Sequence, residues 1–311
     1  MADLLRQIAL SAPLFLLVLG GWTLVRLGRW EDATGEALVR VVFTVALPAM
    51  LFRLMGGLAA LPPVDARLLI AFFGGCLAVF VLGRLVAWKL FALDGVSQSV
   101  FALGGIFSNN VLLGLPIARV LLGEAAVPSV ALVLVFNSLI LWTLVTVSVE
   151  WARHGEFSVR GFGATLKSVL RNPIVIAILS GTLFGLSGLA LPAVVDGTLG
   201  MVADMAAPLA LLALGMGLAK YRLREGIAEA GAIAVLKLLV HPLAVWALAH
   251  ALGLPPLETQ VVVLLASIAV GVNVYLMAAQ FRVLQGAVAA SLVLSTLGSA
   301  LTTPLLLALL S

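Results

Sequence analysis

Two stretches of this chain put amide side chains inside apolar runs. The first is Phe107-Ser-Asn-Asn-Val-Leu-Leu-Gly-Leu-Pro116, where Ser108, Asn109 and Asn110 are followed by Gly114 and Pro116. The second is Ser267-Ile-Ala-Val-Gly-Val-Asn-Val-Tyr275, with Gly271, Asn273 and Tyr275 but no proline. Pro116 has no amide hydrogen to donate and biases Leu115 away from helical geometry. If both runs break, each gains a second half-helix that starts in mid-run. The unpaired amides and positive dipole ends of two such N-termini favour an anion. Asn110 and Asn273 would add neutral donors from either side, a grip loose enough to release a carboxylate again. The competing reading is a packing kink with asparagine bonding between helices. Ser108 and Asn109 would satisfy freed backbone or touch the ligand, and Tyr275 would line the site or pack in the core.

Other polar residues are sparse. Asp204 is the one carboxylate well inside an apolar run, a position that marks functional candidates. It is a candidate for proton coupling, or else a group bonded to nearby backbone. Lys237, followed one turn later by His241-Pro242, could pair with Asp204 or a carbonyl. These three are the candidates for coupling to a proton or sodium ion. The chain has no phosphate-binding Gly-Lys loop, no His-Glu-x-x-His and only one cysteine, Cys76. No enzyme, cofactor or metal site is therefore expected, and a substrate-driven carrier is favoured over an ATP-driven pump.

The elements that must position these residues follow from composition. Of 311 residues, 63% are apolar and 10% charged, and mean hydropathy is +1.21. Soluble domains are about 45–50% apolar and about 25% charged, so the chain is an all-α polytopic membrane protein. Ten apolar segments can be counted: 4–25, 37–55, 68–90, 97–122, 127–149, 171–189, 198–219, 228–252, 257–281 and 287–310. Arg6 precedes an apolar stretch at 8–19, but no small-x-small cleavage site follows, so this is read as the first span. With the N-terminus outside, 14 of the 18 Lys and Arg fall on the inner side, which places both termini away from the cytoplasm. The net charge of +4 then reflects topology, with no nucleic-acid partner.

Pro13 and Pro173 lie 160 residues apart, as do Pro48 and Pro208, and Asn110 and Asn273 lie 163 apart. Three landmarks near one offset point to a duplication. The expected units are a five-helix repeat at 1–150, a cytoplasmic linker at 151–170 and a second five-helix repeat at 171–311. Five is odd, so the second copy is inverted, with broken crossover helices 4 and 9.

At this point the residues resemble a family. Val41-Val-Phe-Thr-Val-Ala-Leu-Pro-Ala-Met-Leu-Phe52, the Ser108–Pro116 segment, Asn172-Pro173 and Ala206-Ala-Pro-Leu-Ala-Leu look like the auxin efflux carriers. Bacterial members of that family are regarded as malonate or other dicarboxylate carriers. The resemblance implies ten spans, inverted repeats, a scaffold part, a mobile transport part and a homodimer in the inner membrane. It also implies that Asn110 and Asn273 hold a substrate carboxylate. The departure is in span 9, where the family often has a proline two residues before the glycine. This chain has Ala269 there, which leaves the sharpness of the second break open. Two rivals remain: a sodium-coupled symporter of the bile-acid type, and a non-transporting receptor for the same ligand.

Overall fold

A backbone surrounded by apolar side chains has no water to bond with, so it satisfies its own amides and carbonyls by coiling into helices. The computed structural model describes residues 2–28, 30, 32–57, 64–154, 170–221 and 226–310. Among these the secondary structure is helical apart from one isolated bridge. Six helical segments are long and apolar enough to cross a membrane: Ala33–Gly56, Arg67–Phe91, Glu124–Arg153, Ala193–Leu218, Ile227–Ala251 and Gln285–Leu309. Residues 155–169, most of the expected linker, lie outside the described residues.

In chain order the helices are α1 (Ala2–Arg26), α2 (Asp32–Val41), α3 (Leu47–Gly56), α4 (Arg67–Phe91), α5 (Gly95–Ile106), α6 (Leu115–Leu122) and α7 (Val127–His154). They continue as α8 (Pro173–Leu186), α9 (Ala193–Asp204), α10 (Ala206–Leu218), α11 (Ile227–Val235), α12 (His241–Ala251), α13 (Pro256–Ser267), α14 (Val272–Phe281) and α15 (Gln285–Leu310). Three junctions are π-helical turns: Val42–Ala46 before α3, Asn110–Gly114 before α6 and Leu236–Val240 before α12. Each runs directly into a residue-proline pair, Leu47-Pro48, Leu115-Pro116 or His241-Pro242. A proline ring collides with the carbonyl four residues back. Widening that turn relieves the collision without ending the helix, a common role of single π turns.

Two packed units emerge. In one, α1 lies along α10 and α8 along α3, with α9 against α3 and α2 against α10. Glycines allow these approaches. A Cβ on Gly21 or Gly215 would overlap the carbonyl of Leu212 or Val18, and one on Gly185 would stand 2.6 Å from Met55 O. The Arg53–Asp196 pair, at 2.7 Å, joins α3 to α9. The other unit packs α4 on α5 and α12, α11 on α15, and α13 on α12 and α15. Each unit draws helices from both ends of the chain, so neither is a contiguous half. They meet where α1 touches α6 and α15 and where α7 touches α8 and α3.

Candidate functional site

The two interruptions lie against each other in the second unit. α5 stops at Ile106, and Phe107 is extended (ψ 100°). α13 stops at Ser267, and Ile268 and Gly271 are extended (ψ 151° and 144°). The segments then pair antiparallel. Asn109 N–H donates to Ala269 O at 2.9 Å, Gly271 N–H donates to Phe107 O at 2.8 Å, and Ser108 faces Val270. Backbone groups freed by each break are thus satisfied by the other. A Cβ on Gly271 would sit 3.0 Å from Ser108 O and 3.1 Å from Phe107 Cδ1, so glycine is what lets the chains cross this closely. The second break is complete without a proline at 269.

Helix α15 holds the crossing from behind. Ser295 Oγ accepts from Val270 N–H at 2.9 Å, and Ser267 Oγ donates to Thr303 Oγ1 at 3.0 Å. Sequence reasoning passed over these hydroxyls. The available signal was Ser291, Ser295, Ser299 and Thr303, which repeat every four residues along one helix face and are all buried.

In front of the crossing lies a cavity of about 480 Å³. Residues 107–112 and 271–273 line it, so it faces the starts of both second half-helices, whose first amides have no intrahelical partner. Ser108, Asn109, Asn110, Gly271 and Asn273 all line it. Ser108 Oγ, Asn109 Nδ2 and both amide atoms of Asn110 are buried with no hydrogen-bond partner. Asn137 of α7 adds an unpartnered Oδ1, and Asn172 enters from the other unit while its Oδ1 caps α8 by accepting from Ile174 N–H. Asn137 and Asn172 were not singled out as site residues from sequence, because neither accompanies a helix break inside a run. Phe43, Trp142, Ile174 and Val175 form apolar walls, and no charged residue lines the cavity among the described residues. Unpartnered buried amides are expensive. A cluster of them around two helix N-termini is suited to a small anion with several oxygens.

A family model described as a membrane transport protein matches residues 8–159 and 158–307 of this chain. The chain belongs to that family. It is the family of the auxin efflux carriers, as the motifs implied. A "Putative malonate transporter" of Rhizobium meliloti (strain 1021) is 28% identical over 300 residues, covering 94% of this chain and 92% of the relative. An "Uncharacterized transporter" of Methanothermobacter thermautotrophicus is 28% identical over 255 residues, 81% of each chain. The "Uncharacterized transporter YfdV" of Escherichia coli (strain K12) is 25% identical over 299 residues, 94% of each.

The remaining candidate residues of this membrane transport protein lie off the cavity wall. Gly114 and Pro116 are buried behind it; a Cβ on Gly114 would stand 3.1 Å from Leu265 Cδ2 and 3.3 Å from Asn110 Oδ1. Tyr275 points to Tyr221, ring centroids 4.8 Å apart, and burial pushes the Tyr221 hydroxyl up to about 12. Asp204 is exposed at the end of α9, where its charge acts on Arg53. It forms no ion pair with Lys237, which is wholly buried beneath the crossing with His241. Lys237 Nζ donates to Ala266 O and lies 3.2 Å from His241 Nδ1. Of the two partners open to Lys237 in the sequence, Asp204 and a carbonyl, it meets a carbonyl.

Proposed function

We propose that this protein is a secondary carrier that moves small carboxylates of the malonate class across a bacterial inner membrane by alternating access. The observation that carries this reading is the set of unpartnered amide and hydroxyl groups at the crossing of the two broken helices. A carboxylate there would accept from Asn109 Nδ2, Asn110 Nδ2, Ser108 Oγ and the first amides of the half-helices, with Asn273 opposite. Charge-assisted bonds of this kind exceed neutral ones in strength, and the lack of a fixed cation in the wall keeps release feasible. The name of the Rhizobium meliloti relative agrees with a dicarboxylate.

Ten spans as two inverted repeats are the architecture that best accounts for the helices. The six long segments are joined by Ala12–Arg26, Pro173–Leu186 and two broken pairs. The exchange of α1 onto α10 and of α8 onto α3 is what an inverted repeat would produce. The cavity extends from the crossing to Thr146, Asn172 and Gln280, toward the ends of α7 and α14 and the start of α8. The charge count puts Arg153 and Arg171, which flank those ends, in the cytoplasm, so the proposal takes the conformation as inward-facing. A homodimer, as the family resemblance implies, completes the proposal.

The test is uptake of radiolabelled malonate into proteoliposomes, wild type beside Asn110→Ala, with and without pH and sodium gradients. Uptake by wild type that the variant loses supports the reading, and independence from sodium separates it from a sodium symporter. Wild-type flux in Asn110→Ala overturns the site. Malonate binding without flux overturns the carrier in favour of a receptor.

A further inference from the structure

Beneath the crossing, away from the cavity, three side chains from two helices form a chain of polar contacts in an otherwise apolar interior. Lys237 sits in the π-helical turn before α12 and is 0% exposed; His241 is also 0% exposed, and Cys76 of α4 is 1% exposed. Lys237 Nζ donates to Ala266 O, and His241 Nδ1 lies 3.2 Å from the same nitrogen. On its other side His241 Nε2 lies 3.3 Å from Cys76 Sγ. Phe72 closes the group with its ring 5.8 Å from the imidazole.

No carboxylate pairs with Lys237 among the described residues. The groups facing it can be enumerated. Its own helical run offers His241, with Glu229 two turns earlier in the first turn of α11 and His250 in the last turn of α12, and α4 offers Cys76, while α5 and α15 contain no titratable residue. On α13 the one acid is Glu258, at the far end, where its Oε1 accepts from Asp65 N–H. Arg84 of α4 is occupied by Ser99, Ser148 and Gln98. Charging an amine in such a setting is costly unless something nearby favours the charged form. Here the carbonyl end of α13, where the helix dipole is negative, favours it in part. Ala266 is three residues before Ala269, whose carbonyl accepts from Asn109 N–H at the cavity floor.

We propose that Lys237 and His241 form a proton-binding site that couples proton uptake to anion binding in the cavity. The coupling rests on the cavity being the anion site, as argued above. A carboxylate bound at the half-helix N-termini places negative charge in a medium of low dielectric. That favours the charged form of the amine below, which takes its proton from the acid form of the solution buffer: amine plus buffer acid gives ammonium plus buffer base. By linkage the protonated lysine strengthens anion binding by the same factor. His241 positions the amine through Nδ1 and shares the proton.

The test uses the purified full chain in detergent, with titrations of malonate, succinate and acetate by calorimetry between about pH 7 and pH 9, a range reached by buried amines. Repeating each titration in buffers of different ionisation enthalpy counts protons taken up per anion. Wild type is expected to take up a fraction approaching one proton per anion and to lose affinity as pH rises. Lys237→Met, close to isosteric and apolar, is expected to fold, to bind at least tenfold more weakly and to take up no proton. Lys237→Arg keeps the charge but cannot release it, so it should bind with pH-independent affinity and no uptake. Anion binding by wild type without proton uptake overturns the coupling alone, as does undiminished uptake by Lys237→Met. Failure of wild type to bind any of the three anions overturns the anion site, and the coupling with it.

Discussion

Asn110 has both amide atoms buried and unpartnered, so its side chain contributes polarity to the cavity and no hydrogen bond to the fold. Removing it should leave stability unchanged or slightly raised, because an unsatisfied buried amide costs about 1–3 kcal/mol. Asn110→Ala is therefore expected to melt at or above the wild-type temperature in detergent while malonate affinity falls at least tenfold. A lower melting temperature with unchanged affinity would show that the amide serves packing. Asn137 lines the same cavity from α7; its Nδ2 is the atom able to donate to an anion there, so Asn137→Ala should weaken anion binding severalfold in the same titration. The two asparagines were not equally legible. Asn110 stands in a run with Gly114 and Pro116, and that combination betrays a broken helix. Asn137 sits within an unbroken α7, and an amide there is as often a bond between helices. Only the fold that brings α7 against the crossing gives it a role.

At the scale of elements, the crossing is held by backbone pairing and by α15. Ser295 Oγ is the acceptor for Val270 N–H. Ser295→Ala would leave that amide unsatisfied in a buried site, at a cost of about 1–3 kcal/mol. The expected readout is a melting temperature several degrees lower than wild type, with faster amide exchange at Val270. Ser295→Thr, which restores the hydroxyl, should recover part of the loss. An unchanged melting temperature in Ser295→Ala would mean that the crossing does not depend on α15. The first break is signalled locally, by Ser108, Asn109 and Asn110 ahead of Gly114 and Pro116, although it falls at 107–109 and Leu115 before the proline is helical. The second is not, since Ala269 stands where a proline was looked for. It forms because Phe107 O and Asn109 N–H supply partners that the helix would otherwise have supplied, and because Gly271 tolerates the approach. That information lies on a segment more than 150 residues away, which explains why the sequence left the second break open. The hydroxyl ladder of α15 was equally silent, since serine and threonine occur on many membrane helices.

For the whole molecule, the cavity lies on a seam. Asn172, Ile174, Val175 and Phe43 come from the unit of α1–α3 and α8–α10, whereas the crossing belongs to the unit of α4–α6 and α11–α15. An anion on that seam touches both bodies, so sliding one past the other would change the route by which the cavity is reached. Composition and run length disclosed a polytopic helical membrane protein, but this partition depends on contacts between distant parts of the chain. Gly21 and Gly215, which let α1 and α10 meet, look in sequence like any of the 30 glycines. The seam can be probed with chemistry the chain nearly lacks. Its one cysteine, Cys76, is buried, so Val175→Cys should supply the only thiol that a membrane-impermeant maleimide can reach. In inside-out vesicles the variant should label readily and be protected by malonate. In right-side-out vesicles it should label slowly, and faster when a gradient draws the carrier through its cycle. Equal labelling from both faces would indicate an open pore, and labelling from the cytoplasmic face alone under every gradient would indicate a fixed pocket. Labelling that changes face with the gradient is the outcome that requires the two bodies to move about the anion.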